Sequence, residues 1–422
     1  MAVTLDTELA SPQAVGPRSG VPERRLQARS HQLTELQQRL DEATTAGLLP
    51  HVALARDPAA VQAAVARGEA WRHRGAASAD RVIVVGEPGA VAAARVLACA
   101  GDTAGSTAGN TAGTPGGNTA ELVFIDQPDT RQVQAALAGA RRPRLVVLAG
   151  PQWVRTLAEA LRPQVRTATV FADEAEHPLL ALASEPAEAV VAPGAADARF
   201  GVVGPAALAL AGFARLPGAP LAAALSTMEA RCHASGVRGN PALRLGALAA
   251  ELGQGHGLFT PTLVVGGTRM QTWAAWASRA WAALSSRAIP AGDGAAPSYL
   301  ARGACPLVLL AGDEALVQRV IAGPRDLWLA GICLSTDGGA APDAALATLV
   351  DAHLRHAVRD GRPVVRLLLG DTEAPDLAAL SWLWLQAAVM AAALDPIDPL
   401  TMDAADDWRN LVDDLAAGSQ AR

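Results

Sequence analysis

Short apolar runs alternating with helical stretches constrain this chain more than any other feature, because a strand that is apolar throughout must be covered on both faces. Arg81-Val82-Ile83-Val84-Val85-Gly86 reads as a buried strand ending in glycine, with a helix from Ala90 to Ala100 after it. Leu122 to Ile125, Leu145 to Leu148 and Ala168 to Phe171 continue the strands, and Thr130 to Ala140 and Val154 to Leu161 are the helices between them. The rhythm restarts at Thr262 to Val265, which runs into a Trp-rich helix holding Trp273, Trp276 and Trp281. Leu307 to Leu310, a helix Asp313 to Ile321, Leu327 to Leu334, a helix Pro342 to Asp360 and Val364 to Leu369 follow. Strands followed by helices imply parallel sheets with helices on both sides, so the pattern predicts two doubly wound α/β units.

The 422 residues suffice for two or three domains of roughly 150 residues, each able to bury its own core. Residues 1–22 read as a loose arm, since Pro12, Gly16, Pro17, Gly20 and Pro22 break any periodicity. Residues 23–75 read as N-terminal helices. Leu26, Leu33, Leu36 and Leu40 share one face of a helix from Glu23 to Thr45, and Asp57 caps a second from Pro58 to Gly68. The first α/β unit is expected over 76–200 and the second over 201–375, the latter preceded by Ala-rich helices from Pro205 to Gly253. C-terminal helices are expected over 376–422, from Leu377 to Ala417. Residues 101–119, built around repeats of Thr-Ala-Gly, carry too little apolar surface to offset the entropy of ordering and predict a disordered loop.

Composition removes several function classes. All 35 basic residues are arginine, so P-loop lysines, Schiff bases and lysine acid-base chemistry are absent. A net charge of -6 with scattered arginines argues against nucleic acid and against anionic membrane surfaces as partners. No stretch reaches about 18 strongly apolar residues, and the N-terminus has no charged segment followed by an apolar one, which predicts a cytoplasmic protein. Cys99, Cys232, Cys305 and Cys333 are widely spaced and form no Cys-x-x-Cys pair, so they indicate neither a disulfide framework nor a zinc site. No cofactor and no metal is expected.

The chain's own motifs are sparse. Gly86-Glu87-Pro88-Gly89 sits where a phosphate loop would, between strand and helix, but Pro88 has no N–H and Glu87 repels phosphate, so a structural turn is the plainer reading. Gly266, Gly267, Thr268 and Arg269 are the candidate substrate-binding residues: two flexible residues, a hydroxyl and a guanidinium where a strand gives way to a helix. A tight turn with a solvated arginine competes with that reading. His353 and His356, near Asp351, share a helical face but have no third ligand in sequence, so a solvated face is expected instead of a metal site. No Gly-x-Ser-x-Gly elbow supports a hydrolase.

Two stretches resemble the phosphoglucose isomerase family, in particular the isomerase half of transaldolase and phosphoglucose isomerase fusions. Asp197-Ala198-Arg199-Phe200-Gly201, with the Ala-rich helix after Gly204-Pro205, is similar to the family's Gly-Gly-Arg-Phe-Ser segment. Trp384 to Pro399, ending Ala393-Leu394-Asp395-Pro396-Ile397-Asp398-Pro399, resembles its closing Ile-Asn-Pro-Phe-Asp-Gln segment. Asn240-Pro241-Ala242-Leu243 and Thr262 to Trp281 keep the family's element order, and the likeness spans about residues 80–415. It implies two sugar-isomerase (SIS) type doubly wound parallel-sheet domains with helical N- and C-terminal segments, a homodimer, and aldose-ketose isomerisation of glucose 6-phosphate and fructose 6-phosphate. It also implies that Arg199 is the catalytic arginine that stabilises an enediolate.

The departures from the family fall on its chemistry. Its Gly-x-Gly-Gly-Ser turn lands on Gly86 to Ala90, with Ala90 in place of the serine. Its phosphate loop lands on Ala149-Gly150-Pro151-Gln152-Trp153, with no hydroxyl before Thr156. The catalytic Glu-Ser-x-Gly-Lys segment lands on Leu284-Ser285-Ser286-Arg287, which puts Leu284 at the base position. A positioned base is worth about 10²- to 10⁴-fold, and lost charge stabilisation costs a comparable factor. The resemblance therefore predicts an isomerase scaffold without ordinary turnover, with a non-catalytic sugar-phosphate sensor or an assembly partner of a central-carbon enzyme as the alternative. Glu229, Asp337 and Glu373 are the carboxylates, and Arg269 and Arg287 the arginines, that could substitute for the missing groups.

Overall fold

The computed structural model describes residues 3–46, 49–73, 79–100, 111–112, 121–192, 194, 197, 199–258, 260–285, 307–310, 327–334, 341–370 and 373–394. In chain order it opens with β1 (Thr4–Asp6), α1 (Pro12–Val15), α2 (Glu23–Ala28) and α3 (Ser30–Thr45). There follow α4 (Pro50–Arg56), α5 (Pro58–His73), β2 (Arg81–Val85), α6 (Pro88–Ala100), β3 (Thr111–Ala112), β4 (Glu121–Ile125) and α7 (Thr130–Leu137). Next are β5 (Pro143–Leu148), α8 (Gln152–Leu161), β6 (Thr167–Ala172), β7 (Ala189–Val191), α9 (Pro205–Phe213), α10 (Gly218–Cys232) and α11 (Pro241–His256). The chain continues through β8 (Thr260–Val265), α12 (Thr268–Ser285), β9 (Leu307–Leu310), β10 (Leu327–Leu334), α13 (Ala341–Arg359), β11 (Val364–Leu369) and α14 (Ala374–Leu394). The helix expected over Asp313 to Ile321 lies outside the described residues, as do residues 395–422 and all of the Thr-Ala-Gly segment except β3.

The chain forms two units, one of residues 49–223 and one of residues 3–46 with 224–394, and the division falls inside α10. This differs from the linear scheme of 76–200 and 201–375, and helix packing is the reason. A Cβ on Gly68 of α5 would sit 1.6 Å from the Ala209 carbonyl oxygen of α9, and one on Gly212 would sit 2.0 Å from that of Val65. Only glycine lets two helix backbones approach so closely, so α9 stays with α5 beside the first sheet.

That first sheet has six strands in the order β3-β4-β2-β5-β6-β7, with β3 antiparallel and the others parallel. Its strand residues serve two cores by alternation. Val82, Val84, Phe124, Val146 and Leu148 pack with Trp71, α6 and α9, whereas Ile83, Val85, Ile125, Leu145 and Val147 pack with α7 and α8. Both faces are covered, which is why the strands read as unbroken apolar runs. At the N-terminal end of β5 the buried Arg144 donates from Nη1 to the Thr169 hydroxyl at 2.7 Å and to Glu188 Oε2 at 3.1 Å. The Trp71 ring lies 5.0 Å from the same guanidinium.

The second unit holds a five-stranded sheet in the order β1-β11-β10-β8-β9. Residues 3–22 are not a loose arm: β1 pairs antiparallel with β11, setting Thr4 opposite Leu368 and Asp6 opposite Arg366. Arg231 Nη1 donates to the Val3 carbonyl at 2.6 Å, Arg244 Nε to the Thr7 hydroxyl at 2.8 Å and Arg366 Nε to Asp6 at 2.8 Å. These arginines, distant in sequence, hold the segment in place, and β1 covers the edge of β11. The helix expected from Glu23 to Thr45 breaks at Arg29, whose side chain turns away to Glu251 at 2.7 Å and Gln254 at 2.6 Å.

Helix α14 is long and apolar enough to cross a membrane, yet it is buried within the protein as a core helix. Its backbone approaches α11, where a Cβ on Gly246 would lie 2.6 Å from Met390 Cβ. Against α12 it builds a run of tryptophans: Trp273 lies 5.8 Å from Trp384 by ring centroids, Trp384 4.7 Å from Trp281, and Trp281 6.1 Å from Trp328. Large rings fill the space that Ala-rich helices leave open.

Candidate functional site

Open parallel sheets present ligand crevices beyond the carboxyl ends of their strands, where the strand order reverses. In the first unit that point lies between β2 and β5. The loop after β2 is tight, because a Cβ on Gly86 would meet Leu148 Cβ at 2.8 Å. A Cβ on Gly150, in the loop after β5, would meet Glu87 Cγ at 3.3 Å, so the two loops touch through the side chain of an acid. Ala90 is buried in the first turn of α6, Pro151 caps α8 without a side-chain hydrogen bond, and the Thr156 hydroxyl is spent on the Gln152 carbonyl at 3.1 Å. The two loops thus meet at the Glu87 side chain, and neither Ala90 nor Pro151 brings a hydroxyl to them.

In the second unit the order reverses between β8 and β10. Gly266 and Gly267 lie there, with Thr268 and Arg269 opening α12. Leu346 of α13 presses on this turn, 2.5 Å from where a Cβ on Gly266 would be, and Gly267 has φ +79°. Both glycines are thus demanded by the turn itself. Arg269 is half-buried, and the Thr268 side chain lies outside the described residues. At the far end of α12, Leu284 is buried in the core.

Arg199 lies in the first unit and Gly266 to Arg269 in the second. Only 6% of Arg199 is exposed. Its Nε and Nη2 donate to Asp197 Oδ1 and Oδ2 at 3.3 and 2.9 Å. Asp197 Oδ1 also accepts from the backbone N–H groups of Arg199 at 2.6 Å and Phe200 at 3.1 Å, which folds the chain into a compact turn. The guanidinium carbon lies 5.0 Å from the centre of the Phe200 ring, and His51 of α4 stacks on that ring at 3.9 Å with an interplanar angle of 11°.

The electrostatics follow from this packing. Burial pushes the Asp197 carboxyl up, but the Arg199 guanidinium and the two N–H groups outweigh it and hold the pKa below the ordinary carboxylate value. Burial pushes the His51 imidazolium down to about 3; Asp197 opposes the shift and Arg199 adds to it. His51 is therefore neutral near pH 7, and Asp197 balances the charge of Arg199.

The remaining sequence candidates are placed as follows. Asp351 is paired with Arg355 and lies 3.8 Å from Arg366. His353 is half-buried, its pKa held low by burial and then by His356, and no cluster of three metal-ligating side chains occurs among the described residues. Glu229 is buried and accepts from Trp382 Nε1 at 3.0 Å, a core contact, while Glu373 is exposed just before α14. Asp337 and Arg287 lie outside the described residues. Sequence reading missed Asp197 and His51 as members of the arginine's surroundings. An Asp two residues before the arginine was a visible turn signal, whereas His51 comes from a distant helix with no local mark.

Two doubly wound parallel sheets, with helical segments before, between and after them, define a protein of the sugar-isomerase (SIS) type fold. The chain is similar in structure to a hypothetical protein of Thermus thermophilus, with a TM-score of 0.75 and 16% identity over 98% of this chain and 100% of the other. It is also similar to a glucose-6-phosphate isomerase from Chlamydia trachomatis, with a TM-score of 0.73 and 11% identity over 99% of this chain and 89% of the other. No protein-family model matches the sequence, and no curated protein matches it.

Proposed function

We propose that this chain is a sugar-phosphate-binding protein on a phosphoglucose isomerase type scaffold, without isomerase turnover of its own. Leu284 carries the reading: the position that the resemblance gives to the catalytic base holds an apolar side chain only 1% exposed. A leucine moves no proton between carbons, and this one is packed into the core. Ala90, Pro151 and the engaged Thr156 hydroxyl support the same view for the phosphate ligands. The retained architecture and Arg199 support binding of a sugar derivative, and the resemblance adds a homodimer, to be read by light scattering.

In a coupled assay the purified protein shows no conversion of glucose 6-phosphate to fructose 6-phosphate, while its melting temperature rises with a member of a hexose-phosphate panel. Turnover of about 1 to 10³ per second would refute the loss of chemistry. Absence of a shift with every hexose phosphate would refute the binding role and favour an assembly partner.

A further inference from the structure

We propose that Asp197 is an internal counter-anion that occupies Arg199, so that this segment meets its ligand through uncharged oxygens instead of through an anion. The inference rests on reading the Arg199 segment as part of a ligand site. A guanidinium gains most from a carboxylate or phosphate that meets two of its N–H groups side by side. Asp197 already does so, through Nε at 3.3 Å and Nη2 at 2.9 Å. The pair is shielded from water, with side chains 8% and 18% exposed, so it is not weakened as a surface pair would be.

Two further features hold the carboxylate in place. The N–H groups of Arg199 and Phe200 both point at its Oδ1, which fixes it before any ligand arrives. Beneath, Phe200 is held against His51, so the guanidinium rests on a stacked platform. A carboxylate two residues away in a fixed turn outcompetes a free anion at millimolar concentration, because its own binding step is intramolecular. Neutral His51 supplies no second cation to draw an external anion to the segment. Charge stabilisation of a developing oxyanion by Arg199 is weakened by the same pairing.

The test titrates inorganic phosphate against the full-length protein and its variants by calorimetry. Wild-type protein binds phosphate only weakly. Asp197→Asn, which keeps an oxygen for the two backbone N–H groups and removes the charge, raises phosphate affinity at least tenfold, and the Asp197→Asn/Arg199→Met pair abolishes the gain. Asp197→Ser is the second variant, since a hydroxyl also caps such a turn, and it shows the same gain. Tight phosphate binding in the wild type that falls with Arg199→Met would overturn the proposal. So would a folded Asp197→Asn or Asp197→Ser protein with no gain, or a gain that survives loss of the guanidinium. Wild-type protein that ignores every hexose phosphate while Asp197→Asn gains phosphate would refute the proposed sugar-phosphate role and leave this inference standing.

Discussion

Acid should destabilise the unit of residues 49–223 through His51, and the size of the effect can be worked from the site. The folded protein holds this imidazole neutral down to about 3, chiefly by burial, whereas the unfolded chain protonates it near 6.5. Between those values the unfolded state binds the extra proton, so stability rises with pH across the window and falls as the pH is lowered through it. One proton contributes about 1.4 kcal/mol per pH unit once the unfolded imidazole is fully charged, so moving from pH 6.5, where it is half charged, to about 4.5 removes about 2.3 kcal/mol, a large share of a typical 5–15 kcal/mol. Asp197 and Glu23, both held below ordinary carboxylate values, act in the same direction but below about 4.5, outside this interval. His353 also titrates low, so the measurement must be a difference. His51→Phe keeps an aromatic ring against Phe200 and removes the titrating group. Urea midpoints followed by circular dichroism from pH 7 to 4.5 give wild-type and variant curves that diverge by about 1.4 kcal/mol per unit below pH 6.5. Parallel curves would show that His51 reaches water, and the neutral platform under Arg199 would be refuted with it.

The remaining predictions concern stability. Glu188→Gln leaves the Arg144 guanidinium buried without its counter-charge and costs about 3–5 kcal/mol in urea unfolding, whereas Arg144→Met with Glu188→Leu recovers most of that loss; equal losses in the single and double variants would refute a buried ion pair. Gly68→Ala places a methyl 1.6 Å from a carbonyl oxygen and forces α5 from α9, costing about 1–3 kcal/mol or more. Gly139→Ala, at a φ of +74° with no atom within 4 Å, serves as its control for backbone strain without a clash. A smaller loss at Gly68 than at Gly139 would contradict the close helix crossing.

How much of this was legible depended on the range of the interaction involved. Strands β2, β4, β5, β6, β8, β10 and β11 were readable because each is apolar on both faces, a property written in consecutive residues. The arm over residues 3–22 was misread because the groups that order it, Arg231, Arg244 and Arg366, come from elsewhere in the chain. Arg29 had the same effect on the helix from Glu23, and the α5–α9 contact moved a domain boundary through two glycines that read locally as helix-weakening residues.

The candidate site repeats that division of scale. Resemblance singled out Arg199 as a residue, but a residue type carries no record of what neutralises it. The neutralising group stood two positions earlier, at Asp197, and only the geometry shows that one carboxylate takes an N–H from Nε, an N–H from Nη2 and two backbone donors. An arginine matched to a catalytic position is therefore a statement about shape until its counter-charge is known. Here the charge is already balanced by the protein itself, while the position matched to the base is a buried Leu284. On the proposed reading, both halves of a proton-transfer mechanism, the group that takes the proton and the one that steadies the resulting anion, are altered at once. A single relocated carboxylate could restore the first half, but an isomerase would also need Arg199 released from Asp197 to supply the second.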